Sequence, residues 1–165
     1  MTAFTPIVTA GPAIAFGPVR RWSAVYYAAG MLAPLLPWRD PVEVFVELER
    51  CFQQPHAGVE AAYLPDGRVI GVGCWSRQAW STAAYSIHMA SVLPEYRRQG
   101  IGAQLVERRL QAITEDAGGR AVWVDASTRC PERLARHGFR VVGEHDGLSR
   151  MMLSLPRAQM CGVAA

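Results

Sequence analysis

The sequence contains no lysine and no asparagine; all 17 of its basic residues are arginine. A GC-rich coding sequence accounts for that bias, and it has one chemical consequence: a Gly-Lys-Ser/Thr phosphate loop is excluded. Cysteine is sparse and scattered. Cys51, Cys74, Cys130 and Cys161 form no CxxC pair, a spacing that argues against a zinc site or disulfide framework and for a reducing, cytoplasmic setting. Long apolar runs are also missing. Met1 to Val19 is uncharged but lacks a basic start and carries Pro6, Pro12 and Pro18, so no signal peptide is expected. Trp22 to Trp38 is uncharged too, but Gly30, Pro34, Pro37 and a one-sided periodicity speak against a membrane span. Charged residues make up only 19%, and the net charge of +3 leans weakly toward anionic ligands without making a case for nucleic acid.

What is there fits one domain. A chain of 165 residues buries roughly two thirds of its unfolded surface, and no repeat or linker divides it. Phe4 to Thr9 reads as a short strand. Trp22, Val25, Tyr26, Ala29 and Leu32 recur at helical spacing, predicting an amphipathic helix over 19–33. Asp40, Pro41 and Glu43 form the opening of a second helix, with Val42, Phe45, Val46 and Phe52 as its expected buried stripe. Strands follow at 60–64 and 68–76 around the turn Pro65-Asp66-Gly67, and at 83–93. A helix over 102–117 ends at Gly118-Gly119. A strand at 121–125, a short helix at 131–137 and strands at 139–144 and 148–155 complete the order. Met160 to Ala165 reads as a frayed tail. This is an α/β or α+β pattern.

The chemistry concentrates in one loop. Pro94-Glu95-Tyr96-Arg97-Arg98-Gln99-Gly100-Ile101-Gly102 joins a strand to a helix. Its glycines let successive N–H groups converge, the helix start adds partial positive charge, and the arginines add forked donors for phosphate oxygens. A pyrophosphate is the expected ligand. A dinucleotide fingerprint would need a third glycine where Leu105 stands.

The segment from Ala90 to Gly102 resembles the signature strand and R/Q-x-x-G-x-G/A loop of the GNAT superfamily of acetyl-CoA-dependent N-acetyltransferases. Val124-Asp125-Ala126-Ser127, running to Arg136-His137-Gly138-Phe139, resembles that family's later strand–helix–GF segment. The resemblance covers about residues 60–155, leaving 18–55 as variable acceptor-side helices and 157–165 as tail. It implies a mixed, mostly antiparallel sheet of six to seven strands with about four helices. It also implies acetyl-CoA as cosubstrate, held by Val92, Leu93, Arg97, Arg98, Gln99, Gly100, Ile101, Gly102 and Ala103, with pantetheine along the Ala90–Leu93 strand edge and no metal. The acceptor implied is a small-molecule or protein amine, attacked within a ternary complex, without nucleic-acid or membrane partners; the resemblance leaves room for a homodimer.

Strand alternation puts Ser86, His88, Ala90 and Val92 on one face. His88 stands where the similar serotonin N-acetyltransferases carry a functional histidine, and an imidazole titrating near 6.5 suits a base; a packed strand histidine is the other reading. Ser86 occupies the second histidine position, so a relay would be incomplete. Many relatives carry a tyrosine acid four residues before the GF glycine, and here that residue is Leu134. Ser127, Cys130 or water then remain as proton donors. The missing tyrosine also supports an alternative, a catalytically degenerate acyl-CoA-binding regulatory module. A third reading, a nucleic-acid-binding domain, rests on the same arginines. Trp22, Tyr26, Tyr27, Trp38, Trp75 and Trp80 are candidates for an acceptor pocket or for core, with Leu32–Trp38 as a lid. Arg129, Arg133, Arg136 and Arg140 form an expected basic face that could meet a CoA 3′-phosphate.

Overall fold

A computed structural model of the chain describes residues 13–36 and 39–157. The expected strand at 4–9, Trp38 and the expected tail beyond 157 lie outside the described residues. The elements are β1 (Ala15–Pro18), α1 (Trp22–Leu32), α2 (Pro41–Gln53), β2 (Ala57–Tyr63), β3 (Val69–Arg77), β4 (Ala84–Val92), α3 (Ile101–Asp116), β5 (Val122–Thr128), α4 (Pro131–Ala135), β6 (Arg140–His145) and β7 (Leu148–Leu155), with short 3-10 turns at Ala33–Leu35 and Pro94–Tyr96. β1 falls where the sequence pattern carried no strand signal. It is four residues long and pairs antiparallel with β2.

The strands form a seven-stranded sheet in the order β1-β2-β3-β4-β5-β7-β6. β4 and β5 run parallel and the other neighbours antiparallel. The sheet is covered on both sides. α1 and α2 pack through Val25, Leu32, Val44, Leu48 and Cys51 onto Val59, Val72 and Cys74. α3 and α4 pack through Val106, Ile113 and Leu134 onto the other face, at Trp75, Tyr85, Val124 and Met151. β3, caught between the two layers, is buried from Val69 to Ser76, the near-continuous burial of a strand covered on both faces. β6, at the sheet edge, is exposed throughout.

α2 buries a different stripe from the one expected. Val44, Leu48 and Cys51 face the sheet, whereas Val42 and Val46 are 68% and 52% exposed. Both stripes satisfy a 3.6-residue period; the packing partner chooses between them. Phe45 and Phe52 turn sideways onto α1, meeting Tyr26 and Trp22 at ring-centroid distances of 5.0 and 4.9 Å. α1 accordingly buries Val25, Ala28, Ala29 and Leu32, and leaves Trp22 and Tyr26 largely outside. Asp40 caps α2 as expected, its carboxylate accepting from the Val42 N–H at 2.7 Å.

Candidate active site

β4 controls the site through two departures from regular pairing. The first is on its β5 side. Ala84, Tyr85 and Ser86 pair with Trp123, Val124 and Asp125; past Ser86 the two strands part, and β5 continues against β7 alone. On its other side β4 stays on β3 to the end, where the Leu93 N–H donates to the Ile70 carbonyl at 2.9 Å. Alternation along a strand then aims the N–H and C=O of Val92 into the gap. That carbonyl accepts from Arg97 Nε at 2.9 Å, so Arg97 sits at the mouth of the opening.

The gap leads to the arginine- and glycine-rich loop. Arg98 and Gly100 adopt positive φ, 62° and 78°, bending the chain so that α3 starts at Ile101. The N–H groups of the first helical turn, Ile101, Gly102 and Ala103, have no carbonyl of their own helix to meet. Arg97, Arg98, Gln99, Gly100, Gly102 and Ala103 are exposed, while Ile101 is buried beneath them. A Cβ on Gly100 or Gly102 would meet nothing within 4 Å, so space lies open above the loop. Exposed loop residues, a helix start and two arginines have the chemistry of a candidate phosphate cradle.

The second departure is a bulge. Met89 has φ of 52°, and the β3–β4 register slips between Val72 and Cys74. His88 and Met89 consequently both turn toward α1 and α2, while Val92 packs on the opposite side with Ile101 and Leu105. The expectation that Ser86, His88, Ala90 and Val92 share one face fails here, because an inserted residue reverses the alternation. The bulge is held from below by Arg109, fully buried, whose Nη1 approaches the carbonyls of Cys74 and His88 at 3.5 Å each. Gly73 makes room for it, since a Cβ there would lie 2.9 Å from Arg109 Cζ. Burial lowers the Arg109 pKa to about 10 against the pull of Cys74 and Glu60.

His88 meets three groups that the sequence reading did not connect with it. Its Nε2 lies 2.8 Å from Glu47 Oε1 and 3.4 Å from Cys51 Sγ, and Cys74 pairs with it across the strands. Arg50 binds Glu47 from outside, Nε to Oε2 at 3.1 Å and Nη2 to Oε1 at 2.5 Å. Hydrogen bonding with His88, then with Arg50, outweighs burial and lowers the Glu47 pKa to about 2. Burial opposes the His88 charge, but contacts with Cys51 and Glu47 prevail and raise its pKa to about 8. The Cys51 thiol is lowered by its hydrogen bond with Cys74, helped by His88; the Cys74 thiol is raised by Cys51 and by burial. His88 Nδ1 is buried without a partner, so the imidazole reaches outward only through Nε2 and Glu47. Cysteine spacing gave no sign of this cluster, in which Cys51, Cys74 and His88 bring their ligand atoms within 4.8 Å of one another. Separation in sequence hid a cluster assembled from α2, β3 and β4.

Beside Glu47 a shallow groove of about 360 Å³ is lined by Arg39, Val42, Glu43 and Val46. Tyr26 and Tyr27 are exposed and Trp75 is core; Trp80 is exposed against the other half of the sheet, beside Trp123. Leu134 is buried among apolar side chains and offers no proton donor. Arg129, Arg133, Arg136 and Arg140 are all exposed. No helix among the described residues is long and apolar enough to cross a membrane.

A search of curated protein sequences returns no match. Solved structures match in fold. An acetyltransferase of the GNAT family from Staphylococcus aureus Mu50 superposes with a TM-score of 0.71 at 14% identity, covering 87% of this chain and 99% of that one. The aminoglycoside 6′-N-acetyltransferase from Enterococcus faecium gives 0.71 at 15% identity, covering 87% and 98%. An aminoglycoside 6′-N-acetyltransferase complexed with coenzyme A gives 0.70 at 12% identity, covering 86% and 96%. The sequence profile of the acetyltransferase (GNAT) family matches residues 25–139. With a parted β4–β5 pair, an exposed arginine- and glycine-rich loop at the start of α3 and a profile match over most of its length, the chain belongs to the acetyltransferase (GNAT) family.

Proposed function

We propose that this single domain transfers an acetyl group from acetyl-CoA to a primary amine of a small-molecule or protein acceptor, by direct attack in a ternary complex. The observation that carries the reading is the parting of β4 from β5 after Ser86, ending at the exposed loop Arg97–Ala103. The residues fit the cosubstrate: the loop N–H groups and the arginines suit its pyrophosphate, and the free edge of Val92 suits its pantetheine amides. Bound there, the thioester would supply the activated acetyl group. The Val92 N–H, aimed into the gap, is the candidate donor to the carbonyl oxygen as negative charge develops. Holding both reactants in register accounts for much of the expected rate.

An alkyl ammonium with a pKa of about 10.4 must lose a proton before it attacks. The Glu47–His88 pair, reached from the groove, is the candidate acceptor of that proton once His88 is neutral, above about pH 8. Glu43 and Glu47 beside Val42 and Val46 suit a cationic amine carried on a partly apolar body. Two of the structural relatives are aminoglycoside acetyltransferases, and polyamine-bearing small molecules head the acceptor library to be tested. Free thiols at Cys51, Cys74 and Cys130 suit a cytoplasmic setting.

The test is CoA release over that library with chelator present, for the parent protein and His88→Ala. Full turnover in the variant would remove His88 from the reaction. A second reading, an acyl-CoA-binding module without catalysis, draws on Leu134 buried where the proton donor is expected. Tight CoA binding with no turnover on any acceptor would favour it.

A further inference from the structure

We propose that Cys51, Cys74 and His88, joined by Glu47, bind one zinc ion. Two sulfurs and an imidazole nitrogen from three separate elements lie within 4.8 Å of one another. Tetrahedral zinc, with bonds of about 2.3 Å to sulfur and about 2.0–2.1 Å to nitrogen, requires ligand–ligand edges of roughly 3.3–3.8 Å. The Cys51 Sγ–His88 Nε2 edge is 3.4 Å. Glu47 Oε1, 2.8 Å from Nε2 and 4.0 Å from Cys51 Sγ, is the nearest candidate for the fourth position; the first distance opens and the second closes on loading.

The surroundings fit the ion as well as the ligands do. Two thiolates, a carboxylate and a neutral imidazole exceed the charge of a divalent cation by one, and Arg50 on Glu47 balances it. Arg109 donates to the backbone carbonyls of Cys74 and His88, fixing two ligand residues from behind. Both sulfurs are buried, but the His88 and Glu47 side chains remain 23% and 24% exposed, leaving a path for entry. Two sulfur donors favour zinc over magnesium or calcium. On loading, the thiol protons pass to solvent and the imidazole keeps its proton on Nδ1. The ion then occupies His88 Nε2 and Glu47, so zinc inhibits acetyl transfer; that consequence rests on the catalytic reading above, whereas the binding does not.

The experiment titrates the reduced, chelator-stripped protein with Co²⁺ and then Zn²⁺. One equivalent of Co²⁺ is expected to produce sulfur-to-cobalt charge-transfer absorption, which one equivalent of Zn²⁺ abolishes. His88→Gln is expected to weaken binding at least tenfold, and Cys51→Ser with Cys74→Ser to remove it, circular dichroism verifying the fold. Should the double variant not fold, peptide-resolved alkylation of the parent protein answers instead: zinc protects Cys51 and Cys74. Absence of the band at stoichiometric Co²⁺, its persistence in a folded double variant, or unprotected thiols would overturn the site. Zinc binding without turnover in the stripped protein defeats the catalytic reading and leaves the site standing. Turnover undiminished by saturating zinc would overturn the inhibition.

Discussion

Arg109 and Gly73 show how far a single residue can set the geometry of this protein. A fully buried guanidinium is costly unless its donors are used, and here they hold the bulge that turns His88 toward α2. Gly73→Ala is expected to cost about 1–3 kcal/mol through overpacking against that guanidinium, measured by urea denaturation. Because Arg109 would be displaced, metal affinity and turnover are expected to fall with stability. Asp116 is a second such residue. It accepts from the Tyr85 hydroxyl at 2.6 Å and lies 2.8 Å from His56 Nδ1. Asp116→Ala leaves a buried phenol unpaired, with an expected loss of about 1–3 kcal/mol. His88→Gln is expected to lower turnover about 10²–10⁴-fold, with acetyl-CoA binding unchanged because His88 lies across the sheet from the cradle; steady-state kinetics under chelator separate the two effects.

Among the elements, the parted pair β4–β5 and the start of α3 form one device. The strand leaves the Val92 edge open, and the loop presents the first-turn N–H groups at its end. Arg97 joins the two through the Val92 carbonyl. Arg97→Ala is expected to weaken CoA binding roughly ten- to a hundredfold, the range for one hydrogen bond to a charged group; calorimetry would show it. An unchanged affinity would place Arg97 outside the cofactor site. α2 is the other element of the candidate site. It carries Glu47 and Cys51 to His88 and lines the groove with Val42, Glu43 and Val46, so the proposed cofactor and acceptor sites lie on opposite faces of one sheet.

Taken as a whole, the molecule places the parting of β4 from β5 in the middle of its seven-stranded sheet. A cosubstrate seated between β4 and β5, as proposed, would tie the two halves of the sheet together. CoA at a hundredfold excess over its Kd adds about 2.7 kcal/mol, an expected rise of roughly 5–10 °C in Tm for a chain of this size. Differential scanning fluorimetry measures it, and no shift would exclude binding to the folded state.

Local sequence carried the loop proposed to hold the cofactor almost unaided. A loop needing positive φ at Gly100, a helix start and flanking arginines are contiguous, and their chemistry follows from backbone rules that act over a few residues. The capped start of α2 and the order of strands and helices after β1 were legible for the same reason. Which face of α2 turns inward was not, because two apolar stripes obey one period and only the sheet and α1 choose between them. Nor was the bulge at Met89, whose support comes from Arg109 on another element, or the meeting of Glu47, Cys51, Cys74 and His88. Those contacts join distant positions through packing, and no local spacing rule encodes a distance that the tertiary fold sets.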